Sequence, residues 1–116
     1  MLGDVQPFVG LSVALKAAGH HPIIATSPTF QTWIESYGIE FADIHGPDPK
    51  SAFAVCVSKG FFTLQFLRKV RELFSPMIRD VGLTLVKLTQ QHQPDLMCCT
   101  FSTIYAGIHI QEKFGM

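Results

Sequence analysis

Apolar residues recur through Val5, Phe8, Leu11, Leu15 and Ala18 at helical spacing, and Gly19 stops the run. Gly3-Asp4 ahead of it reads as a glycine turn with Asp4 as N-cap, its carboxylate accepting free first-turn N–H groups. Pro7 suits that first turn, where a missing N–H costs nothing. Pro22 to Thr26, with Ile23 and Ile24, predicts a short buried strand. Ser27-Pro28 starts a second helix bearing Phe30, Trp33, Ile34 and Tyr37 at offsets of one helical face, and Gly38 caps it. Ile39 to Ile44 predicts a second strand. Strand, helix and strand in this rhythm make a βαβ unit with parallel strands.

The second half is dominated by helix. Gly46, Pro47 and Pro49 place 45–50 in a loop, and 51–58 reads as a short apolar helix ended by Gly60. From Thr63 to Gln91 one face carries Leu67, Val70, Phe74, Met77, Ile78, Val81, Leu85 and Leu88. Pro76 inside that pattern is expected to kink or split it, and Gly82 to weaken it. Leu96 to Thr100 predicts a further buried strand. Ser102 or Thr103 caps a last helix running through Phe114, and Gly115 closes it. The sum is an α/β chain built as a Rossmann-like open parallel sheet, one partial domain over 1–116. In such sheets ligands gather at the carboxyl ends of the strands. The Asp4, Ser27-Pro28 and Thr100-Ser102 turns are therefore expected on one edge.

Composition narrows the function classes. With 47% hydrophobic and 16% charged residues the chain can bury a core. Nine basic residues match nine acidic ones, which gives no electrostatic footprint for nucleic acid. The cysteines, Cys56, Cys98 and Cys99, are odd in number and lack a Cys-x-x-Cys pair, so neither a disulfide framework nor a zinc site is indicated. No two histidines stand at metal-binding spacing, and no metal is expected. A reducing, cytoplasmic location follows, with peripheral membrane contact left open. No apolar run reaches the roughly 18–20 residues that cross a bilayer.

The motifs Gly3-Asp4-Val5-Gln6-Pro7-Phe8, Ala14-Leu15-Lys16, Gly19-His20, Ile24-Ala25-Thr26, Pro28-Thr29-Phe30 and Glu40-Phe41-Ala42 carry a resemblance. So do Pro94-Asp95-Leu96 and Ala106-Gly107-Ile108-His109-Ile110 with Glu112. In this order they resemble the sterol 3-beta-glucosyltransferases, glycosyltransferases with a family 28 type N-terminal domain. The resemblance implies the N-terminal, acceptor-binding half of a GT-B enzyme of two Rossmann-like domains. It implies transfer of glucose from UDP-glucose to a sterol 3-hydroxyl, inverting and metal-independent. UDP-glucose enters as donor substrate, held mainly by a C-terminal domain outside the chain, and no cofactor is implied. In the resembled family an apolar strand precedes the glycine turn, whereas Met1 and Leu2 alone precede it here. The expectation is a fragment with its first strand truncated, inactive alone.

On that resemblance Asp4 is the base for the acceptor hydroxyl, although helix capping accounts for it as well. Acceptor contacts fall to Phe8, Phe61, Phe62, Phe66, Ser102 and His109. Ordinary core packing explains the phenylalanines equally, capping explains Ser102, and a helix-surface histidine explains His109. Phe53 to Arg71 mixes aromatics with Lys59, Arg68, Lys69 and Arg71, which fits an acceptor pocket, an anionic membrane surface or a solvated face over core. His20 and His21 suit the negative end of the first helix. Two alternatives stay open: transfer to another lipid or polyketide, and a non-catalytic lipid-binding module.

Overall fold

The computed structural model describes residues 2–44, 54, 58, 63–100 and 103–115. The chain opens with α1 (Leu2–Ala17), followed by β1 (Ile23–Thr26), a 3₁₀ turn (Pro28–Phe30), α2 (Gln31–Ser36) and β2 (Glu40–Asp43). A 29-residue helix α3 (Leu64–His92) and a last helix α4 (Ile104–Phe114) complete it. The expected loop at 45–50 and most of the helix at 51–58 lie outside the described residues.

The first region is the βαβ unit that the pattern predicts. β1 and β2 pair in parallel, Ile23 opposite Glu40 and Thr26 opposite Asp43. α2 crosses between them and sinks Ile34, which is 0% exposed, into a core with Val5, Val9, Ile24 and Ile39. Phe30, Trp33 and Phe41 pack on that core. Trp33 meets Phe30 and Tyr37 edge-on, with ring centroids 6.5 and 6.0 Å apart, the geometry that ring quadrupoles favour. Gly38 ends α2 at φ +70°, where a Cβ would strain the backbone.

α1 departs from expectation in two ways. It begins at Leu2, so Asp4 sits inside the first turn and is not the N-cap; Gly3 is itself helical. A first-turn carboxylate still faces the positive end of the helix dipole, so the position suits Asp4 without a capping turn. The buried face is Val5, Val9 and Ser12, whereas Leu11 and Leu15 are exposed and Phe8 half-buried. Apolar residues surround this helix so evenly that no face is preferred by its sequence. β1 and the crossover helix made the choice.

The second region is a helix pair. Thr63 caps α3, its Oγ1 accepting from the Phe66 N–H at 3.1 Å. Pro76 does not split α3, which runs unbroken to His92. The amphipathic stripe on both sides of the proline holds the helix together against the lost bond. Gln93 stops it in a left-handed conformation, its N–H donating to the Thr89 carbonyl at 2.9 Å. Val81 and Leu85 pack on Ala106 and Ile110 of α4, and Ile110 is 0% exposed. Tyr105 Oη adds a hydrogen bond to the Ile78 carbonyl, 3.3 Å away.

One expected strand is absent. Residues 96–100 carry no ladder, and the sheet among the described residues has two strands. The segment packs instead through Met97 against the α3–α4 core, and Leu96 is exposed. An apolar run becomes a strand only where a neighbour offers N–H and C=O groups, and no described backbone does so here. The fold is thus mixed α/β with a two-stranded parallel sheet. Ile44, directly after β2, reaches the second core and links the two regions. The long α3 makes the molecule extended, 50 × 32 × 18 Å. No helix among the described residues is long and apolar enough to cross a membrane.

Candidate functional site

α1 presents Asp4 to solvent on its first turn, with Phe8 one turn later on the same side. Phe8 lies between exposure and burial, beside the Val5–Val9 face. A carboxylate next to a half-buried aromatic can both accept a hydroxyl proton and contact an apolar body. Phe66 stands in the first turn of α3, half-buried. His109 is exposed on α4, next to the buried Ile110. Phe61, Phe62 and Ser102 lie outside the described residues. The structure thus pairs Asp4 with Phe8 on one helix, while Phe66 and His109 belong to the α3–α4 pair.

Hydroxyls gather at the carboxyl end of β1 and at the turn before α4. Ser27 follows β1 and is buried, its Oγ 3.2 Å from Thr29 Oγ1. Ahead of α4, Thr100 and Thr103 exchange contacts: Thr103 Oγ1 accepts from the Thr100 N–H at 3.1 Å, and the Thr103 N–H donates to the Thr100 carbonyl at 3.0 Å. Their hydroxyl oxygens lie 3.1 Å apart. Thr103 caps by position, but its hydroxyl serves this turn and not the helix amides.

Beside that turn sit two free thiols, Cys98 exposed and Cys99 half-buried. Burial pushes the Cys99 thiol up, helped by its neighbour Cys98, against a hydrogen bond to Thr103 that lowers it. A buried, raised thiol is a poor nucleophile. Gly107 allows this approach: a Cβ there would stand 2.6 Å from Cys99 Sγ. Burial likewise raises Tyr105.

Sequence reasoning missed a hollow at the opposite end of the sheet. About 310 Å³ in volume, it is lined by residues including Lys16, His21, Glu35, Gly38 and Glu40. Lys16 Nζ donates to the Gly38 carbonyl, and His21 Nε2 lies 2.6 Å from Glu40 Oε2. Both links tie the end of α1 to the start of β2. His21 therefore does more than face the helix dipole, its expected role. Helical spacing carries no signal for this pair, because it depends on strand register. An exposed pair of this type contributes little energy. Among the described residues no three His, Cys, Asp or Glu side chains gather closely enough to hold a metal ion.

The sequence profile of the glycosyltransferase family 28 N-terminal domain matches residues 2–115. The chain belongs to that family. This family 28 domain is similar to the sterol 3-beta-glucosyltransferase of Glomerella lagenarium, 38% identical over 114 residues, covering 98% of the chain and 8% of the relative. It is 41% identical over 111 residues to the sterol 3-beta-glucosyltransferase of Gibberella zeae, covering 96% of the chain and 7% of that protein. The enzyme of the same name from Sclerotinia sclerotiorum is 41% identical over 110 residues, covering 95% of the chain and 7% of its own length. The family 28 domain described here thus spans less than a tenth of the relatives that it matches.

Proposed function

We propose that this chain is the acceptor-binding, N-terminal part of a glycosyltransferase that moves glucose from UDP-glucose to the 3-hydroxyl of a sterol. The observation that carries this is its likeness, along nearly its whole length, to proteins named for that transfer. The complete enzyme has the GT-B arrangement of two Rossmann-like domains. Its donor half lies outside this chain, so this chain alone forms no product. Transfer is inverting and needs no metal. The protein works in the cytoplasm.

Asp4 is the base. In an inverting transfer one group removes the hydroxyl proton as the oxygen attacks the anomeric carbon, and UDP departs from the opposite face. The carboxylate stands exposed on the first turn of α1, and Phe8 supplies an apolar contact one turn away. The acceptor surface is completed by Phe61, Phe62, Phe66, Ser102 and His109.

The test is a chimera in which residues 2–115 replace the matching segment of the Glomerella lagenarium relative. The chimera is expected to form sterol glucoside. Asp4→Asn is expected to lower kcat by about 10²-fold or more with KM little changed, since a general base acts in the transition state. An unaltered kcat in that variant would remove Asp4 from the mechanism. Turnover of other lipids but not of sterols would move the acceptor to a different class.

A further inference from the structure

The segment between α3 and α4 carries two adjacent cysteines, Cys98 and Cys99, and both are free thiols. In a strand, neighbouring side chains point to opposite faces. Residues 96–100 carry no ladder, so that constraint does not act on the two sulfurs. The segment is fixed at its two ends instead. Met97 packs on the α3–α4 core, and the Thr100 N–H donates to Thr103 Oγ1 at 3.1 Å. The cysteines lie between these anchors.

Their surroundings set an order of reaction and select a ligand. Cys98 is exposed, whereas Cys99 is half-buried, its Sγ set against the backbone of α4 at Gly107 and hydrogen-bonded to Thr103. Burial raises the Cys99 thiol, and so does the neighbouring Cys98. Two thiolates side by side are therefore disfavoured, and a group that neutralises both sulfurs at once is favoured. A direct disulfide fits poorly. Adjacent Cα atoms stand about 3.8 Å apart across a trans peptide, below the roughly 4.4 Å at which disulfides usually begin. An atom inserted between the sulfurs widens the ring and relieves that strain. A structural zinc ion takes four ligands, and among the described residues no three His, Cys, Asp or Glu side chains gather to supply them. Soft sulfur ligands suit a soft centre, and the one that fits here is satisfied by two thiols.

We propose that Cys98 and Cys99 form a two-thiol capture site for trivalent arsenicals carrying one organic substituent. Cys98 adds first, from solvent. Cys99 then leaves its place against Gly107 and closes the ring. For an arsenoxide, R–As=O, two As–S bonds form, the As=O bond breaks, and both thiol protons depart with the oxygen as water. Arsenic stays trivalent, so neither oxidant nor reductant is needed. The site lies on other elements than Asp4 and Phe8, and it does not depend on the transfer reaction.

The reduced whole chain with phenylarsine oxide tests it, read by mass spectrometry of the intact protein and of its peptides. One arsenical is expected per chain, bound with loss of water on the peptide that holds both Cys98 and Cys99. It should survive excess mercaptoethanol and leave with dithiothreitol, because two bonds to one centre act as a chelate. Cys98→Ser and Cys99→Ser should each weaken capture about 10²-fold or more under mercaptoethanol competition. Cys56→Ser, at a position outside the described residues, should leave capture intact. Iodoacetamide without the arsenical should label Cys98 ahead of Cys99. Circular dichroism checks that each variant keeps its helices, and the thiol competition and peptide map on the unaltered chain stand without any variant. Five results would overturn the assignment: no adduct, release by mercaptoethanol, loss of capture in Cys56→Ser, unchanged capture in either of the other variants, or faster alkylation of Cys99. None of them bears on the chimera's chemistry.

Discussion

The two regions of this domain are held together in different ways. In the βαβ unit, fixed strand register, the crossover helix and the aromatic trio all converge on Ile34. In the helix pair, one stripe of α3 meets one short helix, and toward the start of α3 Leu64, Leu67 and Ile78 are exposed. The first region is specified by non-local pairing, the second by a local repeat along one helix. Among the described residues, Ile44 is an apolar side chain that bridges them. One region is therefore closed upon itself, and the other leaves large apolar side chains exposed.

The largest test of this contrast empties each core in turn. Ile34→Ala and Ile110→Ala each remove a side chain of zero exposure, at a cost of about 2–5 kcal/mol. If the regions differ as described, Ile110→Ala loosens α3 and α4 while the β1 and β2 amides keep their protection from hydrogen exchange. Ile34→Ala removes that protection. Loss of sheet protection in the Ile110 variant would mean one cooperative unit, and the contrast would break.

The same contrast explains what could be read from the chain. The βαβ unit was legible because each boundary has its own chemistry: Pro22, Ser27-Pro28 and Gly38 punctuate two isoleucine-rich strands and an aromatic helix face. The span of α3 was legible from Thr63 and the repeat that follows. Three things were not. The buried face of α1 was invisible because that helix is apolar all round, and strand contact decided it. The segment 96–100 has the composition of a strand, but composition does not supply a neighbour. The His21–Glu40 contact depends on register between elements far apart in sequence. As for the candidate site, Asp4 and Phe8 lie on one helix, which the apolar spacing made legible. Capping logic made Asp4 the N-cap, whereas it is the third residue of a helix that begins at Leu2.

Pro76 gives the next effect. It lies inside the unbroken α3, between the start of the helix and the part packed on α4. Its ring removes the bond to the Glu72 carbonyl and crowds it. Pro76→Ala is expected to stabilise the domain by about 2–3 kcal/mol, read as a shift in the urea midpoint at constant m-value. If the covered half alone folds cooperatively and the exposed half frays, the gain shrinks toward zero. That outcome would place a boundary of cooperative folding inside α3.

Two glycines provide the smallest and most selective comparison, because the same change should act with opposite sign in the two regions. Gly38 closes α2 at φ +70°, and a Cβ there would stand 2.7 Å from Lys16 Nζ, so Gly38→Ala meets strain and displaces a side chain that binds the Gly38 carbonyl. It is expected to destabilise by about 1–2 kcal/mol. Gly82 lies inside α3 with nothing within 4 Å of its missing Cβ. Gly82→Ala therefore meets no clash and limits the unfolded chain, for a gain of about 0.5–1 kcal/mol. Paired urea melts of the two variants read the difference directly. Equal signs would mean that the turn after α2 is not fixed by its backbone, and the claim that the first region is closed by its own register would lose its support.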